Sequence, residues 1–279
     1  MTEPPTKITL KNPEGREFEE AAHMYLRAFN VTDRLIARDL VNFWKSLVEY
    51  RVGEYVIAKS TTVVGMGATF PYQKFAWIGN MAVEPHFQRK GIGTLLLGKL
   101  LYILEMKKIH VIALDSSDAG KPLYTTYGFK EACKVLWYEI QGCSSRNFER
   151  VHTVQNIPEW CLNLDKKAFG GDRSSLLKLL LAMGGIMVVK DDEGYGIVYE
   201  KKVGPVIADN VEAAVAITNY AHTLGALTMD VPLHDVPREF LSQLKGQGVD
   251  YATPSTQMVY GNTMQDTKRV FAQVSSALG

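Results

Sequence analysis

The stretch Phe75–Val83, FAWIGNMAV, constrains the fold more than any other. It is apolar on both faces. A strand of that kind has no side to give to water, so it belongs at the centre of a sheet with material packed above and below. The charged turn EPHFQRKGIG follows at once, and then a helical run from about Gly93 to Lys108. Lys107 and Lys108 suit the negative end of that helix. A short strand, HVIALD, comes next.

The surrounding text reads as an α/β chain. KITLKN alternates and predicts a first strand, while EFEEAAHMYLRAF and LIARDLVNFWKSLVEY space their apolar residues as helices do. YVIAKSTTVVGMGATFPY predicts a hairpin that turns near Ser60 and Thr61. AGKPLYTTYGF predicts a short helix stopped by Gly128, and KEACKVLWYEI a strand after it. From Gln141 to Pro158 the text turns polar, and we place a linker at 141–158 between domains 1–140 and 159–279. A length of 279 residues suits two domains.

The second half predicts helices near 161–169 and 174–183, then strands GIMVVK, GYGIVYEK and GPVIAD. A helix over 211–224, strand ALTMDVP, a helix over 236–244 and a strand near YATPSTQMVYG complete it. Strand, helix, strand, helix, glycine (Gly128, then Gly248), strand therefore occurs twice, which suggests a degenerate duplication. The second copy enters its helix through DNVEAA, with no Gln-Arg-Lys and no Gly-x-Gly.

Composition excludes several classes. A net charge of +1 argues against a bulk nucleic-acid or acidic-membrane binder. No stretch approaches the roughly 18 apolar residues that span a bilayer, and the first residues do not read as a secretory signal. Cys133, Cys143 and Cys161 form no CxxC pair and are odd in number, which predicts a reducing, cytoplasmic setting. The histidines show no metal-ligand spacing, so no metal is expected.

What can the turn at 84–93 hold? A helix that starts after a glycine turn presents unpaired N–H groups at its positive end, where anions bind. Gly91 and Gly93 allow close backbone approach, and Arg89 and Lys90 add charge for phosphate. A dinucleotide fingerprint would need a glycine where Leu96 stands, and the Gly-Lys-Ser/Thr of a Walker loop is absent.

The string Gln88-Arg89-Lys90-Gly91-Ile92-Gly93 resembles the Q/R-x-x-G-x-G/A acetyl-CoA signature of the GNAT N-acetyltransferases. A later family pattern, N-x-x-A-x-x-L-Y-x-x-x-G-F, is similar to Ser117–Phe129, where Leu123-Tyr124 and Gly128-Phe129 fit. Ser117 stands for the usual asparagine and Gly120 for the usual alanine. The resemblance covers about 7–140. The remainder resembles the degenerate second domain of a bacterial YitH-type subfamily, with FGGDRSSLL and VGPVIADNVEAA as the weaker matches.

The resemblance implies a GNAT fold, a mixed and centrally splayed sheet flanked by helices, followed by a second, degenerate GNAT-like domain. It implies acetyl-CoA as co-substrate. Gln88, Arg89, Lys90, Gly91, Ile92, Gly93 and Thr94 would hold the pyrophosphate, with Ser117 and Tyr124 further along the donor site. The backbone of Met81, Ala82 and Val83 would pair with the pantetheine arm like an extra strand. Tyr124 matches the tyrosine that serves as general acid toward the CoA sulfur.

The base is less constrained. Histone-type members carry a glutamate where Trp77 stands here, so Glu84 and Asp115, at the ends of the two strands flanking the cleft, are the candidates. His86 reads as a surface residue. Asp172 and Arg173 are polar candidates for the acceptor side, or else a helix start capped by Asp172.

The expected activity is direct acetyl transfer to a primary amine, a small molecule before a protein lysine or N-terminus, by a monomer or homodimer. The alternative is an acyl-CoA sensor that reports occupancy to a partner.

Overall fold

The computed structural model describes residues 7–33, 35–140, 148–245, 250–262 and 266–279. Cys143, Gly248 and residues 141–147 of the expected linker lie outside the described residues. The chain divides into two compact units, Met1–His110 and Val111–Gly279.

The first unit holds strands β1 (Thr9–Lys11), β2 (Glu54–Lys59), β3 (Val63–Tyr72) and β4 (Phe75–Val83), antiparallel in that order. Its helices are α1 (Glu17–Ala28), α2 (Leu35–Glu49) and α3 (Ile92–Met106). β4 is buried from Phe75 to Gly79, as its two-sided apolar pattern requires. Leu96, Leu97, Leu100 and Leu104 form the buried stripe of α3. The helix can lie close because β3 has no side chain at Gly65, where a Cβ would meet Ile92 and Leu96 at 3.0 Å. Phe70, Tyr72, Phe75 and Trp77 are all buried, so the aromatic run before the central strand is core packing.

The second unit holds β5 (Val111–Ser116), β6 (Lys130–Glu139), β7 (Val151–Val154), β8 (Ile186–Lys190), β9 (Gly194–Tyr199) and β10 (Lys202–Ala208). β11 (Thr228–Pro232), β12 (Asp250–Tyr260) and β13 (Val270–Ala272) complete its strands. Its helices are α4 (Lys121–Thr126), α5 (Glu159–Phe169), α6 (Ser174–Ala182), α7 (Val211–Thr223) and α8 (Arg238–Lys245). The strand order is β5-β12-β6-β11-β10-β9-β8-β7, with β13 on β10.

That order departs from a simple two-domain chain. β12, from the far end of the sequence, lies between β5 and β6, and β6 runs on to pair with β11. Strands from the two halves of the sequence alternate, which places the compact division at His110 rather than in the polar stretch. The polar stretch itself contains β7, paired with β8 from Val151↔Lys190 to Val154↔Met187.

β10 and β11 are parallel and share one register pair, Lys202↔Thr228. Beyond it β13 lies antiparallel on β10, with Val206↔Ala272 and Ile207↔Val270, and Gln273 bridges to Asp230 of β11. The gap between two parallel strands is thus filled by the chain's own later segment.

A buried clamp holds that segment. The Arg173 guanidinium, with no side-chain exposure, donates to Asp165 at 2.8–3.0 Å, donates to the Gly279 carbonyl at 3.0 Å, and lies 4.0 Å from the Phe169 ring centroid. The Tyr195 hydroxyl also donates to Asp165, and burial pushes the Tyr195 pKa well up. Asp172 accepts from the Ser174 N–H at 3.0 Å, but the N-cap of α6 is Arg173, so Asp172 stands one residue ahead of the capping position. Removing one partner of a buried pair strands the other charge. Arg173→Ala should therefore lower stability by about 3–5 kcal/mol in urea unfolding.

Candidate functional site

The donor turn begins where β4 ends. A single turn of 3-10 helix covers Pro85–Phe87, and the Gln88 side chain reaches back to donate to the Val83 carbonyl at 3.1 Å. Arg89 has φ +58° and Gly91 φ +82°, so the turn alternates into left-handed backbone as it enters α3. Such alternation directs successive N–H groups into one concavity. Gly91 is the N-cap of α3 and no side chain caps the helix there. A Cβ on Gly91 would meet nothing within 4 Å, so the space before the helix end is open. Arg89 and Lys90 are exposed beside it, with the Lys90 ammonium 5.3 Å from the Phe87 ring centroid. These residues fit an anion such as a pyrophosphate.

β4 carries a bulge. Its register with β3 passes from Met66↔Ala82 to Ala68↔Gly79, so Gly67 on β3 faces two residues, Asn80 and Met81, on β4. Asn80 sits at φ +53° and its side-chain amide donates to the buried Tyr55 hydroxyl at 2.9 Å. A bulge bends its strand and re-aims backbone groups, and bulges collect beside active sites. It takes in Asn80 and Met81 and falls immediately before Ala82 and Val83, which pair on one edge with Met66 and Gly65 of β3. The dipeptide Gly79-Asn80 is the sequence signal for it, because asparagine tolerates positive φ.

Glu84 is already engaged. Arg27 reaches both of its carboxylate oxygens, with Nη2 at 2.6 Å and Nε at 3.1 and 3.3 Å. The same arginine lines an open groove with Glu20, His23, Thr62 and Val63.

The remaining expected residues belong to the second unit. Ser117 Oγ accepts from the Gly120 N–H at 3.3 Å, so it shapes the turn before α4. Gly120 in place of the usual alanine has a steric reason: a Cβ there would lie 3.0 Å from Ser116 Oγ and 3.2 Å from Tyr124 Cε2. Tyr124 is buried and meets Phe129 edge-on at 6.0 Å. Burial pushes its hydroxyl pKa up, so the proton stays on.

Two polar rows cross the sheet. Ser116, Thr256 and Lys134 are in register across β5, β12 and β6, and Lys134 Nζ donates to Thr256 Oγ1 at 2.7 Å. One residue away, Asp115, Gln257 and Cys133 form the opposite row, with the Cys133 thiol directed to Gln257 Oε1 at 3.8 Å. Strand alternation puts these rows on opposite faces. Ser116 faces α4 and Tyr124, so Asp115 faces away from them.

Asp115 is partly buried with its Oδ1 enclosed, and Gln273 Nε2 donates to its Oδ2. Burial pushes its pKa up to about 7, with Asp230 adding to the rise while hydrogen bonds from Gln273 and Gln257 and the Lys202 charge oppose it. The Cys133 thiol is pushed to about 12, first by burial and then by Asp115, so it is not a thiolate nucleophile. Among the described residues no group of His, Cys, Asp and Glu is arranged to hold a metal ion.

Two family models, both described as an acetyltransferase (GNAT) domain, match residues 51–131 and 161–272. The chain belongs to the GNAT acetyltransferases. It is an N-acetyltransferase with a GNAT fold and a second GNAT domain. The uncharacterized N-acetyltransferase YitH of Bacillus subtilis is 26% identical over 196 residues, 63% of this chain and 69% of YitH. The ribosomal protein bS18 alanine N-acetyltransferase of Salmonella typhimurium is 40% identical over 60 residues, 20% of this chain and 40% of that enzyme. A crystal structure from Pyrococcus horikoshii, assigned as an acetyltransferase, aligns with TM-score 0.89 and 28% identity over 98% of this chain and 96% of its own. A GCN5-related N-acetyltransferase from Sphaerobacter thermophilus shares the fold alone, with TM-score 0.63 and 12% identity over 95% of this chain and 98% of that one.

The second GNAT domain differs where its helix begins. Asn210 caps α7 by accepting from the Ala213 N–H at 2.8 Å, so a side chain takes the place that is open at Gly91. Gln257 and Gln273 were not legible as site residues. Gln273 sits in VFAQV as a lone polar residue within an apolar run, and that is its only signal.

Gly91→Glu would place a carboxylate in the open space before α3. We expect it to weaken acetyl-CoA binding by at least tenfold, about 1.4 kcal/mol, in calorimetric titration. Unchanged affinity would remove the turn from the donor site.

Proposed function

We propose that this GNAT protein transfers acetyl from acetyl-CoA directly to the primary amine of a small molecule. When bound, acetyl-CoA supplies an activated acetyl thioester. The backbone from Arg89 to Thr94, with Gln88 bracing the turn, would hold its pyrophosphate. Met81, Ala82 and Val83 would pair with the pantetheine arm, and the bulge at Asn80 would aim a backbone N–H at the thioester oxygen.

The observation that carries the reading is the division of β5 between two faces. Tyr124, protonated and buried, lies on the side of Ser116, while Asp115 lies on the other. A base on one face and a proton donor on the other suit attack by an amine and departure of a thiolate. Asp115 is a better base than Glu84, since Arg27 occupies both Glu84 oxygens. An amine of the lysine kind, with an ordinary pKa of about 10.4, is mostly charged at neutral pH and must lose a proton before it attacks. Asp115 would take it.

We assign acetyl-CoA binding to the domain at 1–140 and none to the degenerate domain at 159–279. Asn210 already caps α7, and β13 already lies along β10, where an arm would pair. Cys133 and Cys161 are free thiols, which fits a cytoplasmic enzyme. No described helix is long and apolar enough to cross a membrane.

The test uses the intact chain, because β12 lies between β5 and β6 and the halves cannot be parted cleanly. Acetyl-CoA should titrate to one site, and a panel of small primary amines should release CoA thiol. Binding without thiol release from any amine would make the protein an acyl-CoA sensor. Tyr124→Phe should lower kcat by about 100-fold while acetyl-CoA affinity changes little. Equal rates across pH would end the acid role.

Asp115 gives a pH signature. Its pKa is about 7 in the fold, raised above the ordinary 3.9 or so of a free aspartate. Its favourable contribution is present at low pH and lost as pH rises through about 7. Asp115→Asn should therefore melt with the wild type near pH 4 and above it at pH 8. In the wild type, kcat/KM should rise through pH 7, and that limb should vanish in the variant.

A further inference from the structure

Two enclosed acceptor atoms, Asp115 Oδ1 and Gln273 Oε1, have no hydrogen-bond partner. Gln273 is 2% exposed, and its Nε2 donates to Asp115 Oδ2. That bond fixes the amide, because the reverse orientation would set oxygen against carboxylate. Gln273 Oε1 then has no hydrogen-bond partner, and neither has Asp115 Oδ1. Enclosed acceptors without donors are rare and costly. Of the neighbouring groups, Gln257 acts on the Asp115 carboxyl yet leaves Oδ1 without a partner, Cys133 turns to Gln257, and Lys202 pairs with Asp230.

The missing partner must bring donors. It should be cationic, to suit a carboxylate flanked by a second one at Asp230. It should be compact, since both acceptors are closed over, and it needs no acceptor of its own. A primary ammonium has three N–H donors and no acceptor. A hydroxyl brings one donor and no charge, and a guanidinium is broad and flat.

We propose that Asp115 Oδ1 and Gln273 Oε1 together form the recognition site for the protonated amino group of the acceptor. The proposal rests on the acetyltransferase reading and deepens it. One N–H of the R–NH3+ group goes to each oxygen. The proton on the Asp115 side then passes to the carboxylate, leaving R–NH2 and a neutral Asp115 carboxylic acid, with charge conserved. Gln273 remains as the positioning residue that holds both groups. The groups facing Asp115 are Gln257 on β12, Cys133 on β6, Asp230 on β11 and Lys202 on β10. Of these, Lys202 opposes a cation in the site, and its pairing with Asp230 offsets that charge.

Gln273 lies immediately after β13, the segment that fills the gap between β10 and β11. The Gln273 N–H donates to the Asp230 carbonyl at 3.0 Å, and Arg173 secures the chain further on through the Gly279 carbonyl. The degenerate domain thereby has a use: it delivers one side chain to Asp115 and holds it still.

The test compares wild type with Gln273→Met, close in shape, and Gln273→Leu, each as the intact chain. Thermal melting and acetyl-CoA titration report folding and donor binding. Butylamine and butanol are then titrated calorimetrically in the presence of CoA, and KM for butylamine is measured with acetyl-CoA. Wild type should bind butylamine and not butanol at pH 8, and lose it at pH 5.5, where Asp115 is protonated. Both variants should keep acetyl-CoA affinity and lose butylamine affinity by about tenfold or more, with KM moving more than kcat. Unchanged butylamine affinity in a folded variant, or equal binding of butanol, would overturn the proposal and leave water as the occupant. Acetyltransfer would still stand in that case. Absence of acetyl-CoA binding to the wild type would instead overturn the acetyltransferase reading and this site with it.

Discussion

The backbone ladder that β12 makes with β5 on one edge and β6 on the other governs the second unit. Its register, Gln257 with both Asp115 and Cys133, decides which side chains share a face. A slip of one residue would send Asp115's neighbours to the opposite side of the sheet. The same ladder places β12, from the end of the sequence, between β5 and β6, so cutting the chain at its polar stretch would break the sheet. Non-local pairing of this kind is entropically slow to form. Next to it lies a large apolar core formed by β10, β11 and α7, with Val203, Val206, Ile217, Met229, Val231 and Phe271 covered.

The Arg173 clamp extends this logic to the end of the fold. A buried ion pair is weak evidence for stability, because its desolvation offsets much of the attraction. It does impose direction. Arg173 turns Nε and Nη2 to Asp165 and Nη1 to a main-chain carbonyl, while the Phe169 ring covers its face. A greasy replacement could fill the same volume and leave the last turn of chain free to choose its position. A side chain three bonds long, such as Gln273, needs that position fixed to within a fraction of an ångström if its amide is to orient a carboxylate.

Much of the architecture was legible because it is local. The two-sided apolar run of β4, the glycine turn and the leucine stripe of α3 each sit within one window of sequence. The cofactor motif was read by resemblance, and its backbone angles at Arg89 and Gly91 give that motif its physical content. What was not legible is non-local or too short. β7 hides in a polar segment because two of its four residues, His152 and Thr153, face water. β13 has three residues. Arg27 closes on Glu84 across 57 positions, and Gln273 meets Asp115 across 158, so neither partnership leaves a periodic trace. Asp172 and Arg173 read together as a polar pair, yet one accepts from the first N–H of α6 and the other is sealed in the core.

Duplication explains why a half without a donor turn persists. Two copies of one strand–helix unit begin with equal cradles at their helix ends and equal gaps between their parallel strands. Asn210 closes the first in the later copy, since a side-chain oxygen on the N–H groups competes directly with a phosphate. β13 closes the second by supplying the hydrogen bonds that an extended arm would otherwise make. Each change stabilises the later copy on its own, because each satisfies backbone groups that would be left to water or to a ligand. Once the gap is filled by chain rather than by cofactor, the filling segment carries side chains, and those can be selected. Gln273 is the one that reaches β5. A gap filled by chain in this way gives a rigid mount for a polar side chain.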